Sequence, residues 1–340
     1  MKDESLDEAV VTATHALADD IALYKRFPAL RALPRAMLCT LPSPVEQISG
    51  IEGASDLWIK RDDLDAPLFG GNKARALEFL LGSVRSGDTV LTLGGTGSTH
   101  VLATSVHARR LGAGTMAVRW QHEMNDIAST VSTRLGDELS EGQTRGSPVG
   151  AMLRCSYLRL TRNVHFIPIG GSTPLGTLGH VNAGLELAKQ VELGEMPLPA
   201  RVVLPIATGS TMAGIALGLM LAGLVIPVIG IRVGPRIYAN RGRVRRIAKK
   251  TANAITETTK EKIPAVRPEL LHIVHDYFGG AYGRPLPAAQ RAAELLKDVS
   301  GIQLDATYSA KGFAGALDYA RKSQGPTLFW LTFDGRWLTT

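Results

Sequence analysis

From residue 57 onward, short apolar runs alternate with longer stretches whose apolar residues recur at helical spacing. The runs predict strands at 57–59, 89–93, 115–120, 164–168, 201–205 and 225–232. The stretches between them predict helices at 73–86, 98–111, 124–137, 149–160, 177–193 and 211–224. Such a succession is the pattern of an α/β fold with mainly parallel sheets and flanking helices. Apolar positions in residues 1–36 are spaced irregularly, giving a helical lead-in. Pro34, Pro42 and Pro44 then mark an extended passage. One stretch, 212–231, carries no charge and is about long enough to span a bilayer. Gly214, Gly218, Gly223 and Pro227 interrupt it, so a helix followed by a buried strand is the expectation, not a membrane span.

Composition changes this picture little. The chain has 340 residues, 45% hydrophobic and 20% charged, as expected of a soluble globular protein. Two cysteines, Cys39 and Cys155, form neither a disulfide framework nor a metal-ligand spacing, and suggest a reducing, cytoplasmic setting. No metal site is expected, and the acidic first residues show no signal peptide. The net charge of +7 owes much to the run Arg232 to Lys250. That run contains one aromatic residue and no nucleic-acid motif. A solvated helix face, or attraction of anionic substrates, is expected instead of nucleic-acid binding.

Candidate chemistry gathers where strands give way to helices, the edge at which open parallel sheets bind ligands. In Gly70-Gly71-Asn72-Lys73-Ala74-Arg75, a glycine loop delivers a lysine to a helix start. The free N–H groups there disfavour an ammonium, and a neutral amine is a nucleophile for a carbonyl. An ordinary exposed lysine is the alternative reading. Three more joints are rich in glycine and hydroxyl residues: 93–100, 169–176 and 205–214. Free backbone N–H groups at such joints hold anions. None matches a Walker loop or a dinucleotide fingerprint, so a single phosphate at one joint and a carboxylate at another suit the pattern better than ATP or NAD. Tyr282 and Tyr308 lie in glycine-flanked loops, where a phenol can move protons or simply pack.

Several motifs occur in order: Lys60–Asp63, Gly70–Arg75, Gly94-Gly95…Ser98…His100, Gly170-Gly171-Ser172, Pro174-Leu175-Gly176, Thr211–Gly214, Tyr282-Gly283 and Leu304-Asp305…Tyr308-Ser309-Ala310-Lys311. Together they resemble the D-cysteine desulfhydrase and 1-aminocyclopropane-1-carboxylate deaminase family over about residues 37–320. The resemblance implies pyridoxal 5′-phosphate on a fold type II, tryptophan-synthase-β-like scaffold. It implies a small α/β domain at 79–189 inserted in a cofactor domain made of 37–78 and 190–340, with 1–36 as an extension. It implies a cytoplasmic homodimer acting on a small amino acid. Lys73 would be the Schiff-base lysine, next to Asn72. Ala207, Thr208, Gly209, Ser210 and Thr211 would cradle the phosphate, and Ser309 would face the pyridine nitrogen. Ser98, Thr99 and His100 would receive the substrate carboxylate, with Ser98 near the reacting carbons, and Tyr282 and Tyr308 would line the substrate side.

The implied activity is that of a lyase or deaminase, acting through an external aldimine, α-proton abstraction and β-elimination. The deaminase branch carries glutamate at the position of Ser309. A neutral hydroxyl makes the ring a weaker electron sink, which suits the desulfhydrase branch better. This chain also departs from the family's pattern. Gly97 replaces a glutamine, and Thr99 replaces an asparagine that donates to the cofactor's ring oxygen. Thr173 and His180 stand where asparagine and tyrosine are frequent, Ala207 and Ser210 where glycines are, and Leu331–Gly335 replaces His-Thr-Gly-Gly. The expectation is a retained cofactor with a shifted substrate or reaction, such as β-replacement or racemisation. A non-catalytic binding protein on the same fold is the competing expectation. Retention of Lys73, Ser98 and both tyrosines argues against it.

Overall fold

The computed structural model describes residues 20–121, 126–138, 147–281 and 283–336. In chain order its strands are β1 (Val45–Ile48), β2 (Leu57–Arg61), β3 (Thr89–Gly95), β4 (Gly114–Trp120), β5 (His165–Ile167), β6 (Arg201–Ile206), β7 (Val228–Arg232), β8 (Leu271–Val274) and β9 (Thr327–Leu331). Its helices are α1 (Ala22–Arg26), α2 (Asn72–Leu80), α3 (Thr99–Arg110), α4 (Asp126–Glu138), α5 (Pro148–Thr161), α6 (Pro174–Glu192), α7 (Ser210–Leu221), α8 (Arg241–Thr259), α9 (Pro287–Ser300) and α10 (Ser309–Lys322). The strands form a six-stranded sheet in the order β1-β2-β9-β6-β7-β8 and a three-stranded sheet in the order β4-β3-β5. Every pairing is parallel except β1 with β2. The expected α/β architecture is therefore present.

Burial on both faces explains the apolar runs. Along β6, Val202, Leu204 and Ile206 share one core with Met212 and Ile215 of α7, while Val203 joins Phe313 of α10 in another. The uncharged 212–231 stretch divides as its glycines and proline require, into α7 and β7. The strand starts at Val228 and not at Val225, because Pro227 has no N–H to give the ladder. Its carbonyl still accepts from the Val202 N–H at 2.9 Å. No described helix is long and apolar enough to cross a membrane. The predicted lead-in is only partly helical over residues 20–36, with α1 followed by a 3₁₀ turn at Pro28–Ala32, and residues 1–19 lie outside the described residues. Leu23, Tyr24, Phe27 and Leu30 bury themselves in the core shared with α6, α7 and α8, and the Leu23 N–H donates to Asn182 Oδ1.

Two features hold the helices that carry the site. First, α6 and α7 touch backbone to backbone. A Cβ on Gly218 would lie 2.3 Å from the Val181 carbonyl oxygen, and one on Gly184 would lie 2.6 Å from that of Ile215. Gly218→Ala should therefore cost about 1–3 kcal/mol by forcing the helices apart, measured as a drop in the urea midpoint at unchanged slope. Second, a buried ionic network underlies α2. Arg75 donates to Asp62 Oδ1 and Oδ2 at 2.6 and 2.9 Å and to Glu186 at 3.0 Å. Lys60, fully buried, donates to Glu186 at 2.6 Å and to Gln190 at 2.5 Å. The Trp330 indole N–H of β9 donates to Asp62 at 2.6 Å. These bonds tie β2, α2, α6 and β9 into one unit.

Candidate active site

Lys73 is set by the loop that precedes it. Gly71 has φ of 99° and sits so close to the chain after β9 that a Cβ would lie 2.3 Å from the Thr332 carbonyl oxygen. Only glycine fits that position. The Asn72 N–H donates to the same carbonyl at 3.0 Å, and Gly71 bridges to Phe333. The lysine then projects from the first turn of α2 into a cavity of about 350 Å³. Its Nζ lies 5.6 Å from the centre of the Tyr308 ring and 5.7 Å from that of Phe333. Burial drives the amine down from 10.5 to about 8, with Asp305 pulling the other way. The lowered value was expected, but its main cause is desolvation and not the helix terminus.

The predicted phosphate loop forms another wall. Gly209, at φ of 95°, caps α7, and residues 207–212 all line the cavity. The first-turn N–H groups of α7 have no acceptor inside their own helix, so they are available to an anion. The loop is braced from three sides. Ser172 Oγ donates to Thr208 Oγ1 at 2.7 Å, the Asn72 amide donates to Thr211 Oγ1 at 2.9 Å, and Arg243 Nε donates to the Thr208 carbonyl at 3.0 Å. Gly170, at φ of 65°, admits the Thr208 side chain, which would meet a Cβ there at 2.8 Å.

Opposite, the Asp305 carboxylate accepts from the N–H groups of Thr307, Tyr308 and Ser309 at 3.0, 2.6 and 2.9 Å. This turn starts α10 and presents Tyr308 to the cavity. The Ser309 hydroxyl is fully buried and has no hydrogen-bond partner among the described residues. A buried hydroxyl without a partner is uncommon and calls for an explanation.

Ser98 caps α3, and Ser98, Thr99 and His100 line the cavity together with Gly94 and Gly95. The His100 ring is not free, because its Nε2 lies 3.1 Å from the Thr92 hydroxyl, which itself donates to the Ile167 carbonyl. Burial and the charge on Lys73 push His100 down to about 3, so it is neutral. It can offer an anion a backbone N–H but no positive charge. Thus Lys73, Asn72, Ser98, Thr99, His100, residues 207–211 and Tyr308 converge on one cavity. Ser309 adjoins it in sequence through Tyr308, and Tyr282 lies outside the described residues. Sequence reasoning did not assign Trp120, Pro148, His180 or Tyr238, which also line the cavity, or Arg243, which braces it. His180 had a signal, since it stood out as a departure at a motif. It is buried, neutral through burial that pushes it to about 3, and its Nδ1 has no hydrogen bond. Arg243 belongs to the basic run, whose other members on α8 (Arg241, Arg245, Arg246, Lys249 and Lys250) are exposed as expected.

Comparisons with known proteins bear on the family and the fold. The family model described as pyridoxal-phosphate dependent enzyme matches residues 37–332. Nocardicin C-9′ epimerase of Nocardia uniformis subsp. tsuyamanensis is 37% identical, over 88% of this chain and 93% of its own. D-cysteine desulfhydrase of Salmonella paratyphi B is 30% identical, over 88% of this chain and 94% of its own. The crystal structure of an ACC deaminase homologue superposes with a TM-score of 0.75 at 28% identity, covering 93% of this chain and 98% of that one.

Proposed function

The chain belongs to the pyridoxal-phosphate dependent enzyme family, and from that premise we propose that it epimerises the α-carbon of an amino acid, with Lys73 as the base. The residues present fit the cofactor. Lys73 would hold it covalently, the α7 N-terminus and the 207–211 loop would take its phosphate, and the unpartnered Ser309 hydroxyl would meet its ring nitrogen. When bound, pyridoxal phosphate supplies an electron sink that makes the α-C–H bond of an attached amino acid acidic.

The amino acid's carboxylate is received by the N–H groups of Thr99 and His100 and by the Ser98 hydroxyl at the start of α3. Lys73, held near pH 8, takes the α-proton as a neutral amine and gives it up again readily. The observation that carries the epimerase reading is the composition of the cavity wall. Hydroxyls of Ser98 and Tyr308 share it with Lys73, and among the described residues no carboxylate lines it. In this reading the amine takes the α-proton, the hydroxyl of Ser98 or Tyr308 gives its own proton to the carbon, and the oxyanion left behind recovers a proton from the Lys73 ammonium. The identity to an epimerase, 37% against 30% for a desulfhydrase, supports the same direction.

A second reading, β-elimination from a small amino acid, is favoured by Ser309. A neutral hydroxyl at the ring nitrogen leaves a weak sink, which suits early departure of a leaving group. The resemblance further implies a cytoplasmic homodimer, and the unpaired thiols of Cys39 and Cys155 suit a reducing compartment. Residues 79–189 contain the whole three-stranded sheet, which supports reading them as a small domain between 37–78 and 190–340.

Incubation with D- and L-amino acids in deuterated water separates the two reactions. Epimerisation puts deuterium on the α-carbon with inversion and releases nothing. Release of a 2-oxo acid and ammonia without inversion would discard it in favour of elimination.

A further inference from the structure

A group of cations sits beside the cavity with no carboxylate bonded to any of their side chains among the described residues. Arg232 ends β7, and the register pairing Ile231 with Val274 places His275 next to it at the C-terminal edge of the sheet. The Arg232 guanidinium lies 3.8 Å from the centre of the Phe278 ring. Lys311 of α10 is fully buried, lies 6.0 Å from the same ring and, among the described residues, donates only to the Phe278 carbonyl, at 2.9 Å. Arg236 completes the group: its charge pushes both Arg232 and His275 down, after burial.

Among the described residues, two polar atoms here are buried without a partner, Arg232 Nε and His275 Nδ1. Among the described residues Arg232 makes one hydrogen bond, from NH1 to the Gly234 carbonyl at 3.2 Å. The nearby carboxylates do not answer the cluster. Asp305 is occupied by three backbone N–H groups and acts on Lys311 only at a distance, Asp318 is occupied by the Tyr277 hydroxyl and Lys322, and Asp276 is exposed and acts at a distance on His275. Like charges gathered around unsatisfied donors are costly unless an anion joins them.

The position is also telling. Gly234 and Pro235, directly after Arg232, line the cavity, as does Tyr308, one turn before Lys311. This is the strand edge at which parallel sheets bind ligands.

We infer that Arg232, Arg236, His275 and Lys311 form an anion site at the rim of the cavity, and that its ligand is a carboxylate at the far end of the substrate's side chain. The inference rests on the amino-acid reading above and narrows it to substrates with two separated carboxylates. Arg232 gives the directional contact, since its planar fork matches a carboxylate and is already oriented by Phe278.

The test uses the cofactor-loaded enzyme and matched pairs of amino acids in both stereochemistries. Dicarboxylic members from glutamate to 2-aminosuberate are compared with monocarboxylic ones of equal chain length, binding being read from the cofactor's absorption band. At least one dicarboxylic member should bind roughly tenfold to a hundredfold more tightly than its partner. Arg232→Gln should remove that preference and leave the monocarboxylic partner unchanged. Arg236→Gln, at an exposed position, should weaken the preference without any risk to folding. Equal binding within every pair, or equal loss of both members in Arg232→Gln, overturns the inference. An Arg232-dependent rise in thermal midpoint with inorganic phosphate, but no dicarboxylic preference, also overturns it in favour of a free anion. A band that responds to no amino acid at all is a failure of the amino-acid reading. In that case glutarate and adipate on the cofactor-free protein still decide the site, through a thermal shift that Arg232→Gln should abolish.

Discussion

Replacing Lys73 with methionine should abolish turnover and, at the same time, stabilise the cofactor-free protein. Turnover should fall by at least about 10⁴-fold, because on the proposed reading one change removes both the covalent attachment and the proton carrier. Borohydride treatment should fix no cofactor to the variant. The stability effect has the opposite sign, because burial holds the folded-state amine near 8 while an unfolded lysine titrates at 10.5. Below pH 8 the folded protein must keep a charge in an enclosed place, which costs about 3 kcal/mol at most. Between pH 8 and 10.5 the unfolded chain binds more protons than the folded one, so the wild type gains stability as pH rises. Above 10.5 the amine is neutral in both states. The methionine variant's advantage should therefore be full at pH 7, fade from pH 8 and vanish by about pH 10.5, as followed by urea unfolding at several pH values. An advantage independent of pH would mean that the amine carries no buried charge.

Arg75→Ala should be among the most damaging substitutions away from the cavity wall. Arg75 is fully buried, bonds Asp62 and Glu186 and lies 3.4 Å from Asp65, so its removal leaves three carboxylates enclosed, with Lys60 the cation bonded to Glu186. Breaking a buried pair in this way costs about 3–5 kcal/mol. Burial alone would raise Glu186, yet Arg75 and Lys60 outweigh it and hold the carboxyl at about 2. In the wild type this contributes stability above pH 4.5 that is lost as pH falls toward 2. Without Arg75 the carboxyl takes up a proton more easily, so the deficit should be largest near neutral pH and smaller near pH 4. Adding Asp62→Asn and Glu186→Gln to Arg75→Ala should recover part of the loss. Because Lys73 lies two residues away on α2, cofactor affinity should fall along with the urea midpoint. A variant with normal affinity and a lowered midpoint would separate the network from the site.

Much of this organisation was legible in the chain, and the reasons are local. Strand-to-helix joints announce themselves because glycine and hydroxyl residues meet geometric needs that few others satisfy. Gly71 against Thr332 and Gly209 at the cap of α7 are two cases. Strands β6 and β9 are apolar after their first residues, Arg201 and Thr327, because both of their faces pack into cores. What was not legible depends on distant pairing. Nothing in the sequence says that Arg75 meets Glu186, 111 residues away, or that Trp330 donates to Asp62, 268 residues away. Tyr238 and Arg243 sit in a run whose charge suggests a solvated face or attraction of anionic substrates, yet one lines the cavity and the other braces the 207–211 loop. The lysine's lowered pKa was foreseen, but its cause was misassigned to the helix terminus, because enclosure becomes visible only once Tyr308 and Phe333 are placed around the amine.

The place of β9 has a consequence for how the molecule is made. It is the last strand described, yet it lies between β2 and β6 and joins the early half of the large sheet to the late half. The loop that aims Lys73 is clasped by Thr332 and Phe333, just beyond that strand. A chain still emerging from the ribosome, or cut short before residue 327, therefore has every other wall of the cavity in its sequence but no clasp to orient the lysine. Cofactor capture is therefore expected to depend on β9: a chain that stops before Thr327 should not take up pyridoxal phosphate.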